Sequence, residues 1–264
     1  MSGCRTSPQI LGDVRHPKYP SFAYCWVCVF MKILPSITTI FDWRGKIKEV
    51  KELGLKEVAL FLTCVNFKER QELFSLLKDT KIISIPFVHI RSNNTSDELD
   101  YLIKNYHTEA FNIHTKNEYS YPPDYKKYKN MIYIENTYES LDEGELKEFA
   151  GICLDFGHME NSKLFTPDIY KHNAALIEKY GCGCNHLGPS KDFSFFSKRE
   201  VRYSRNGHPH TLKNLSELDY LSNYSDKYFG KFVALEMENI IKEQLEAKDY
   251  LYDIIKNKVG LLID

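Results

Sequence analysis

Gly151-Ile-Cys-Leu-Asp-Phe-Gly-His158 is a short apolar run that ends in an acid, with a histidine three residues further on. Residues 152–154 have the composition of a buried strand, and Asp155 falls where that strand stops. His158 is expected in the loop beyond, from which its side chain can turn back toward Asp155. The stretch therefore predicts a buried strand that delivers a chemically useful side chain at its carboxyl end.

The same arrangement recurs along the chain. Short apolar segments end at Glu135, His186 and Glu236, and two earlier segments end at His89 and His114. Parallel strands that each deliver a polar residue at their carboxyl tips are what a (β/α)8 barrel uses to build an active site. Helical patterns separate most of these strands, and no linker-like break interrupts them, which favours one parallel barrel.

Eight strands account for the chain from Met31 onward. The first four are predicted at residues 33–38, 58–62, 82–88 and 110–113, and the others end at Glu135, Asp155, His186 and Glu236. The connection at residues 119–130 contains two prolines and is too short for a full helix, which predicts an irregular fourth βα unit. An open doubly wound sheet would need a glycine-rich turn after its first strand, and residues 35–39 form none. We therefore predict a single (β/α)8 TIM barrel.

Two local signals fix helix ends. Gly54 suits the C-terminal cap of a first helix that has Ile47, Val50 and Leu53 on one face. Thr95 and Glu98 fit a capping box for the helix that continues through residue 106.

Composition restricts the class of protein. The chain is 43% hydrophobic and 27% charged, which is ordinary for a globular protein, and its net charge of −1 creates no general attraction to nucleic acid or membrane. A local basic patch could still bind nucleic acid. The seven cysteines are odd in number and lie mostly in apolar runs. Reduced, buried thiols in a cytoplasmic protein are therefore expected, rather than a disulfide framework.

Residues 1–30 do not match the pattern that follows. The apolar run at 22–31 is shorter than the roughly 20 residues that a membrane-spanning helix needs. No small-residue cleavage site follows it, as a signal peptide would require. We expect residues 1–30 to be a non-native or poorly ordered N-terminal extension, and residues 31–264 to form the barrel domain.

Four strand ends in succession carry a side chain that can bind a metal: Glu135, Asp155, His186 and Glu236. One carboxylate at a strand tip is usually a cap or a solvated loop residue, but four in succession are not expected by chance. Three carboxylates converging on one point would repel each other unless a divalent cation lay between them. Oxygen ligands with one nitrogen suit Mn²⁺, Co²⁺ or Mg²⁺, and Zn²⁺ when more histidines join. Glu238 competes with Glu236 for the role, because strand alternation gives both the same facing, and position at the tip favours Glu236.

Several of these segments resemble the strand-end motifs of the xylose isomerase-like TIM barrel superfamily. That superfamily includes sugar and sugar-phosphate isomerases and epimerases, together with endonuclease IV. The resemblance covers roughly Met31 to the C-terminus and rests on the order and spacing of Ile134-Glu-Asn-Thr137, Cys153-Leu-Asp-Phe-Gly-His158, Asn185-His-Leu187, Asn206-Gly-His208 and Ala234-Leu-Glu236.

In the epimerase branch, the resemblance implies that Glu135, Asp155, His186 and Glu236 bind one divalent metal. Glu135 and Glu236 would also be catalytic, moving a proton on opposite faces of a carbon next to a carbonyl through an enediolate. His158 would bind a substrate hydroxyl. This branch implies a metal-dependent sugar or sugar-phosphate isomerase or epimerase.

In the endonuclease IV branch, the resemblance implies a phosphodiesterase with about three zinc ions that acts on abasic DNA. His89, His114, His158 and His208 would then have metal or substrate roles beside the four ligands. The chain departs from that pattern at Asn206, where the family carries an aspartate, and the loop after His114 lacks the family's His-Pro-Gly turn.

The concentrated basic stretch Lys198-Arg-Glu-Val-Arg-Tyr-Ser-Arg205 follows the seventh predicted strand. Barrel enzymes often bind phosphate with loops after strands seven and eight, so Lys198, Arg202 and Arg205 are candidate phosphate-binding residues, although a solvated loop fits the stretch equally well. A phosphate suits a sugar phosphate and a DNA backbone alike. A third class, a barrel that binds metal without catalysis, also fits the sequence.

Overall fold

The computed structural model describes residues 31–189 and 210–256, so the predicted N-terminal extension lies outside the described residues. The strands of the described part are β1 (Lys32–Leu34), β2 (Ser36–Ile37), β3 (Ala59–Phe61), β4 (Phe87–His89), β5 (Ala110–His114), β6 (Ile132–Glu135), β7 (Gly151–Asp155), β8 (Cys182–Leu187) and β9 (Phe232–Leu235). They form one sheet in the order β1-β9-β8-β7-β6-β5-β4-β3-β2. All neighbouring pairs in it are parallel. Because β1 and β2 are consecutive in the chain yet stand at opposite ends of this order, the sheet is a nearly closed barrel.

Helices connect these strands. The α-helices in the described residues are α1 (Trp43–Leu53), α2 (Phe67–Leu77), α3 (Ser96–Tyr106), α4 (Glu143–Glu148), α5 (Phe156–Phe165), α6 (Pro167–Tyr180) and α7 (Ile241–Ile254). Shorter 3-10 segments lie at Pro123–Tyr128, Leu215–Asn223 and Asp226–Tyr228. The connection between β5 and β6 thus contains a single 3-10 segment that begins at a proline. No helix in the described ranges is both long and apolar enough to cross a membrane.

The first predicted strand, residues 33–38, is divided at Pro35. Proline has no backbone N–H and cannot donate to a ladder, so β1 pairs with β9 before the proline and β2 pairs with β3 after it. The buried side chain of Gln244 on α7 spans this break. Its Oε1 accepts from Ser36 N at 2.7 Å and its Nε2 donates to Ser36 O at 3.1 Å. The amide therefore replaces ladder hydrogen bonds at the seam of the barrel.

Strand alternation divides the buried apolar residues into two clusters. The larger cluster lies between the barrel and its helices and includes Ile134, Leu154 and Leu235. The smaller cluster fills the barrel interior and consists of Leu34, Ala59, Phe61, Phe87, Ala110, Cys153, Cys184, Phe232 and Ala234. On most strands the next residue that faces the interior, two positions further along, is polar. These polar residues lie at the mouth of the barrel formed by the carboxyl ends of the strands.

The predicted helix caps are confirmed. Gly54 ends α1 in the left-handed conformation at φ 66°, and Thr95 and Glu98 form a reciprocal capping box at the start of α3. Leu53 is exposed, contrary to its predicted place on the apolar face, because it occupies the last position of α1. Among the described cysteines Cys153 and Cys184 are buried, whereas Cys64 is exposed.

Candidate metal centre

The carboxyl ends of four consecutive strands place polar side chains inside the mouth of the barrel. One layer of the barrel interior contains Tyr133, Cys153, Cys184 and Ala234. Two residues further along each strand come the side chains that face the same way. These are Glu135, Asp155, His186 and Glu236, all buried.

One ligand atom from each of these four residues lies within 4.8 Å of the others. His186 is central, with its Nδ1 at 3.3 Å from Glu236 Oε2, 3.5 Å from Glu135 Oε2 and 3.9 Å from Asp155 Oδ2. The convergence expected from the sequence is therefore present, and the role of the four residues as metal ligands stays a prediction.

Asn112 orients two members of the group. This fully buried side chain donates from Nδ2 to Glu135 Oε2 at 2.6 Å, and its Oδ1 lies 3.2 Å from His186 Nε2. An amide oxygen only accepts, so one imidazole proton belongs on Nε2, and Nδ1 faces the three carboxylates, where it can hold a second proton or a metal ion. Such hydrogen bonds to the far side of a ligating imidazole are typical of metal sites.

Several buried atoms at the centre of the group have no hydrogen-bond partner within the described residues. They include His186 Nδ1, Glu236 Oε2 and both ring nitrogens of His89. Buried polar atoms without partners are rare in proteins and need an explanation. All of them are atoms through which histidine and glutamate bind metals, so the residues present fit a bound divalent cation.

The electrostatics of the group are those of a site for positive charge. Burial opposes ionisation of Glu135 and Glu236, but the neighbouring histidines outweigh it and hold the pKa of both carboxyls below the usual range. Burial, with the negative charges of Glu236 and Glu135, raises the pKa of Asp155 to about 6 despite the opposing effect of His158. Burial would lower the pKa of His186, yet Cys153 and Glu135 beside it raise the value well above the usual range. The field that favours a proton on His186 would equally favour a cation.

Two further histidines adjoin Glu135. His89 Nε2 lies 3.5 Å and His114 Nε2 lies 4.0 Å from Glu135 Oε2, and the three residues form a second group with ligand atoms close enough for one ion. Burial lowers the pKa of His89 to about 3, so its ring is neutral and able to ligate. His114 also approaches Glu118, with 3.1 Å between Nδ1 and Oε2. Both histidines therefore lie at the mouth of the barrel, beside Glu135.

His158 reaches the group from a helix, and the predicted loop is wrong. The chain passes directly from β7 into α5, because Asp155 serves as the helix N-cap and its Oδ1 accepts from the backbone N–H of His158 at 2.6 Å. The imidazole Nε2 lies 3.9 Å from Glu135 Oε1. Asp155 thus ends a strand, begins a helix and presents Oδ2 to the group.

His210 belongs to the site although the sequence did not single it out. Its Nδ1 lies 4.0 Å from Glu236 Oε1, and it faces His158 across a small cleft. The described residues that line this cleft are Asp155, Gly157, His158, Asn161, Gly188, Pro189 and His210. Asn112 was missed as well. Its signal was an amide in an apolar strand, two positions before His114 and on the same face.

Glu236 and Glu238 face different surroundings, so the expected common facing is wrong. Strand β9 ends at Leu235, and the alternation extends to Glu236 but not to Glu238. Glu236 points into the group, whereas Glu238 Oε2 lies 3.4 Å from Nζ of the buried Lys46. This distribution supports Glu236 over Glu238 as the candidate ligand.

His208 and the basic residues Lys198, Arg202 and Arg205 lie outside the described residues, as does Asn206. His107 ends α3 in the left-handed conformation, and the His172 ring contacts Leu141 O at 2.9 Å. Neither belongs to the metal centre.

The chain matches no protein-family model, and no curated protein sequence matches it significantly. The fold and the centre together define a class: an α/β protein with a nearly closed parallel barrel and, at its carboxyl mouth, buried residues that could bind a metal.

Proposed function

We propose that this chain is a divalent-metal-dependent isomerase or epimerase of sugars or sugar phosphates, built on a single (β/α)8 TIM barrel with an irregular fourth βα unit. The observation that carries the proposal is the buried group Glu135, Asp155, His186 and Glu236, with ligand atoms within 4.8 Å of one another. The same four positions correspond to the metal ligands that the resemblance to xylose isomerase-like barrels implies. Mn²⁺, Co²⁺ or Mg²⁺ suits this set of three carboxylates and one imidazole.

The bound cation would polarise the substrate carbonyl and so acidify the adjacent C–H. Proton transfer at that carbon needs a base on one face and an acid on the other. Glu135 and Glu236 would serve these roles, because both carboxylates border the position that the cation would occupy. His158, at the edge of the cleft, would donate to or accept from a substrate hydroxyl, and Asn112 would hold Glu135 in place.

An endonuclease IV-like zinc phosphodiesterase is the second candidate. The observation in its favour is the additional group His89, His114 and Glu135, which together with the first group could hold more than one ion. Imidazole-rich sets favour zinc, and two or more zinc ions suit phosphodiester hydrolysis.

Metal content and turnover separate these candidates. The chain would be stripped, reloaded and assayed for bound metal, for exchange of solvent deuterium into ketoses and ketose phosphates, and for cleavage of abasic DNA. About one Mn²⁺ or Co²⁺ per chain with deuterium exchange supports the isomerase, whereas about three Zn²⁺ with DNA cleavage supports the nuclease. Metal binding with neither reaction would indicate a non-catalytic barrel and contradict the proposal.

A matched pair of variants tests the assignment of the base. Glu236→Gln should abolish deuterium exchange while leaving the unfolding transition of the metal-free protein largely unchanged. Glu238→Gln is the control, because that carboxylate lies two residues away and faces Lys46. Full exchange activity in the Glu236→Gln variant would remove this residue from the mechanism.

A further inference from the structure

Arg91 differs from the other arginines of the described residues. Arg44 Nη2 lies 2.6 Å from Glu72 Oε2, and Arg70 Nε lies 2.7 Å from Glu98 Oε1. Arg91 has no carboxylate within ion-pair distance in the described part of the chain, and its Nε is buried without a hydrogen-bond partner there. The N–H groups of a guanidinium bind carboxylates and phosphates through charge-assisted hydrogen bonds.

The position of Arg91 connects it to the metal centre. It follows the end of β4 by two residues, and its guanidinium carbon lies 5.3 Å from the centroid of the Tyr119 ring. The Tyr119 ring lies 5.6 Å from that of His114, whose Nε2 is 4.0 Å from Glu135 Oε2. Arg91 and Tyr119 thus form the part of the mouth that continues outward from the His114 side of the centre.

The backbone around Arg91 is held in place. Its N–H donates to Asn94 Oδ1 at 2.8 Å, and its carbonyl accepts from the hydroxyl of the buried Tyr125 at 2.5 Å. The cation–π contact with Tyr119 further holds the guanidinium. A fixed backbone and a side chain held by an aromatic ring reduce the entropy that ligand binding would cost.

We propose that Arg91 binds the phosphate group of the substrate, which makes the sugar phosphate, rather than the free sugar, the substrate class of this barrel. The inference rests on the proposed isomerase function of the metal centre. A phosphate accepts two parallel hydrogen bonds from the planar fork of an arginine, which a sugar hydroxyl cannot do. The metal centre would hold the carbonyl end of the substrate, and Arg91 would hold the charged end.

Calorimetric binding to the Mn²⁺-loaded full chain tests this. The probes are D-fructose 6-phosphate, D-fructose and inorganic phosphate, and the variants are Arg91→Gln, Arg91→Lys and the control Arg44→Gln. The wild-type chain should prefer the phosphorylated sugar, and Arg91→Gln should reduce that preference at least tenfold without changing Mn²⁺ affinity. Arg91→Lys should retain part of the preference, because lysine keeps the charge but not the fork. Arg44→Gln should behave as the wild type.

The outcomes distinguish this inference from the proposed function. Loss of phosphate-dependent binding in Arg91→Gln supports the anion site, whether or not a ketose is turned over. Absence of turnover by the wild-type chain counts against the isomerase alone. Turnover with an unchanged preference in Arg91→Gln overturns the anion site and leaves the isomerase standing. Arg91-dependent binding of an abasic oligonucleotide, without such binding of the sugar phosphate, would also overturn the inference and point to a phosphodiester. Unfolding transitions of the variants that match the wild type exclude misfolding as a cause.

Discussion

Replacing Asn112 with alanine should weaken metal binding more than any other single change outside the ligands. Asn112 makes two buried contacts in the centre, from Nδ2 to Glu135 Oε2 at 2.6 Å and between Oδ1 and His186 Nε2 at 3.2 Å. Alanine removes both amide groups, so Glu135 Oε2 loses its hydrogen-bond donor and His186 Nε2 loses its acceptor. Second-layer contacts of this kind are worth about 10–100-fold in metal affinity, or about 1.4–2.8 kcal/mol.

The same substitution should lower the free energy of unfolding of the metal-free protein. A hydrogen bond to a charged group contributes about 1.5–3 kcal/mol and a neutral one about 0.5–1.5 kcal/mol, so the expected loss is about 2–4 kcal/mol. Urea unfolding monitored by circular dichroism measures this loss, and titration calorimetry with Mn²⁺ measures the affinity.

A remote buried asparagine provides the control. Asn173 on α6 accepts from Leu141 N at 2.9 Å and donates to Glu139 O at 3.4 Å, so Asn173→Ala should also destabilise the fold. It should leave Mn²⁺ affinity unchanged. If Asn112→Ala retained Mn²⁺ affinity within about twofold of the wild type, or lost no more than Asn173→Ala, the assigned orientation of His186 would be wrong.

Three further predictions concern stability. Glu98→Ala should lower the free energy of unfolding in urea by about 3–5 kcal/mol, because it leaves the buried Arg70 without its carboxylate partner. Glu72→Ala removes an exposed ion pair and should lower it by no more than about 1 kcal/mol. Equal losses in the two variants would contradict this prediction. Gly230→Ala should cost about 3 kcal/mol or more, since its Cβ would lie 2.3 Å from a backbone carbon of Gly183. Gly144→Ala should cost much less, since its Cβ would meet only a side-chain oxygen of Asp142, at 3.0 Å. A wild-type melting temperature for Gly230→Ala would refute the packing. Mn²⁺ at about 100 times its dissociation constant should stabilise the chain by about 2.7 kcal/mol, which scanning calorimetry would detect as a higher melting temperature. The Glu236→Gln variant should show a smaller gain, and an equal gain would exclude that residue as a ligand.

The sequence predicted the architecture because burial and alternation leave a direct trace in composition. Apolar runs that stop at Glu135 and Asp155 are largely buried strands, and the charged residue that ends each lies where the barrel opens. Cap signals are equally local, which is why Gly54 and the Thr95–Glu98 box were found from a few residues.

Other features could not be predicted because they depend on contacts between distant segments. Pro35 marks a break, but only the register of β9 and β3 shows that the chain changes partners there. The helical start after Asp155 was hidden by Gly157, which reads as a loop residue although it lies in the first turn of α5. Single residues such as Asn112 and His210 gain meaning from neighbours 74 and 26 positions away, His186 and Glu236 respectively. The local pattern around either residue does not identify those partners.

The seam at Pro35 has a consequence for synthesis on the ribosome. Ser36 is hydrogen-bonded to the side-chain amide of Gln244, which lies 208 positions later in the chain, and β1 pairs with β9. Strand β1 must therefore wait, without its partner strand, until β9 and α7 have been translated. We expect nascent chains halted before Ile241 to be digested readily by protease and those halted well beyond Ile254 to resist. Exposed strand edges of this kind attract chaperones, so dependence on them during translation should end when α7 emerges.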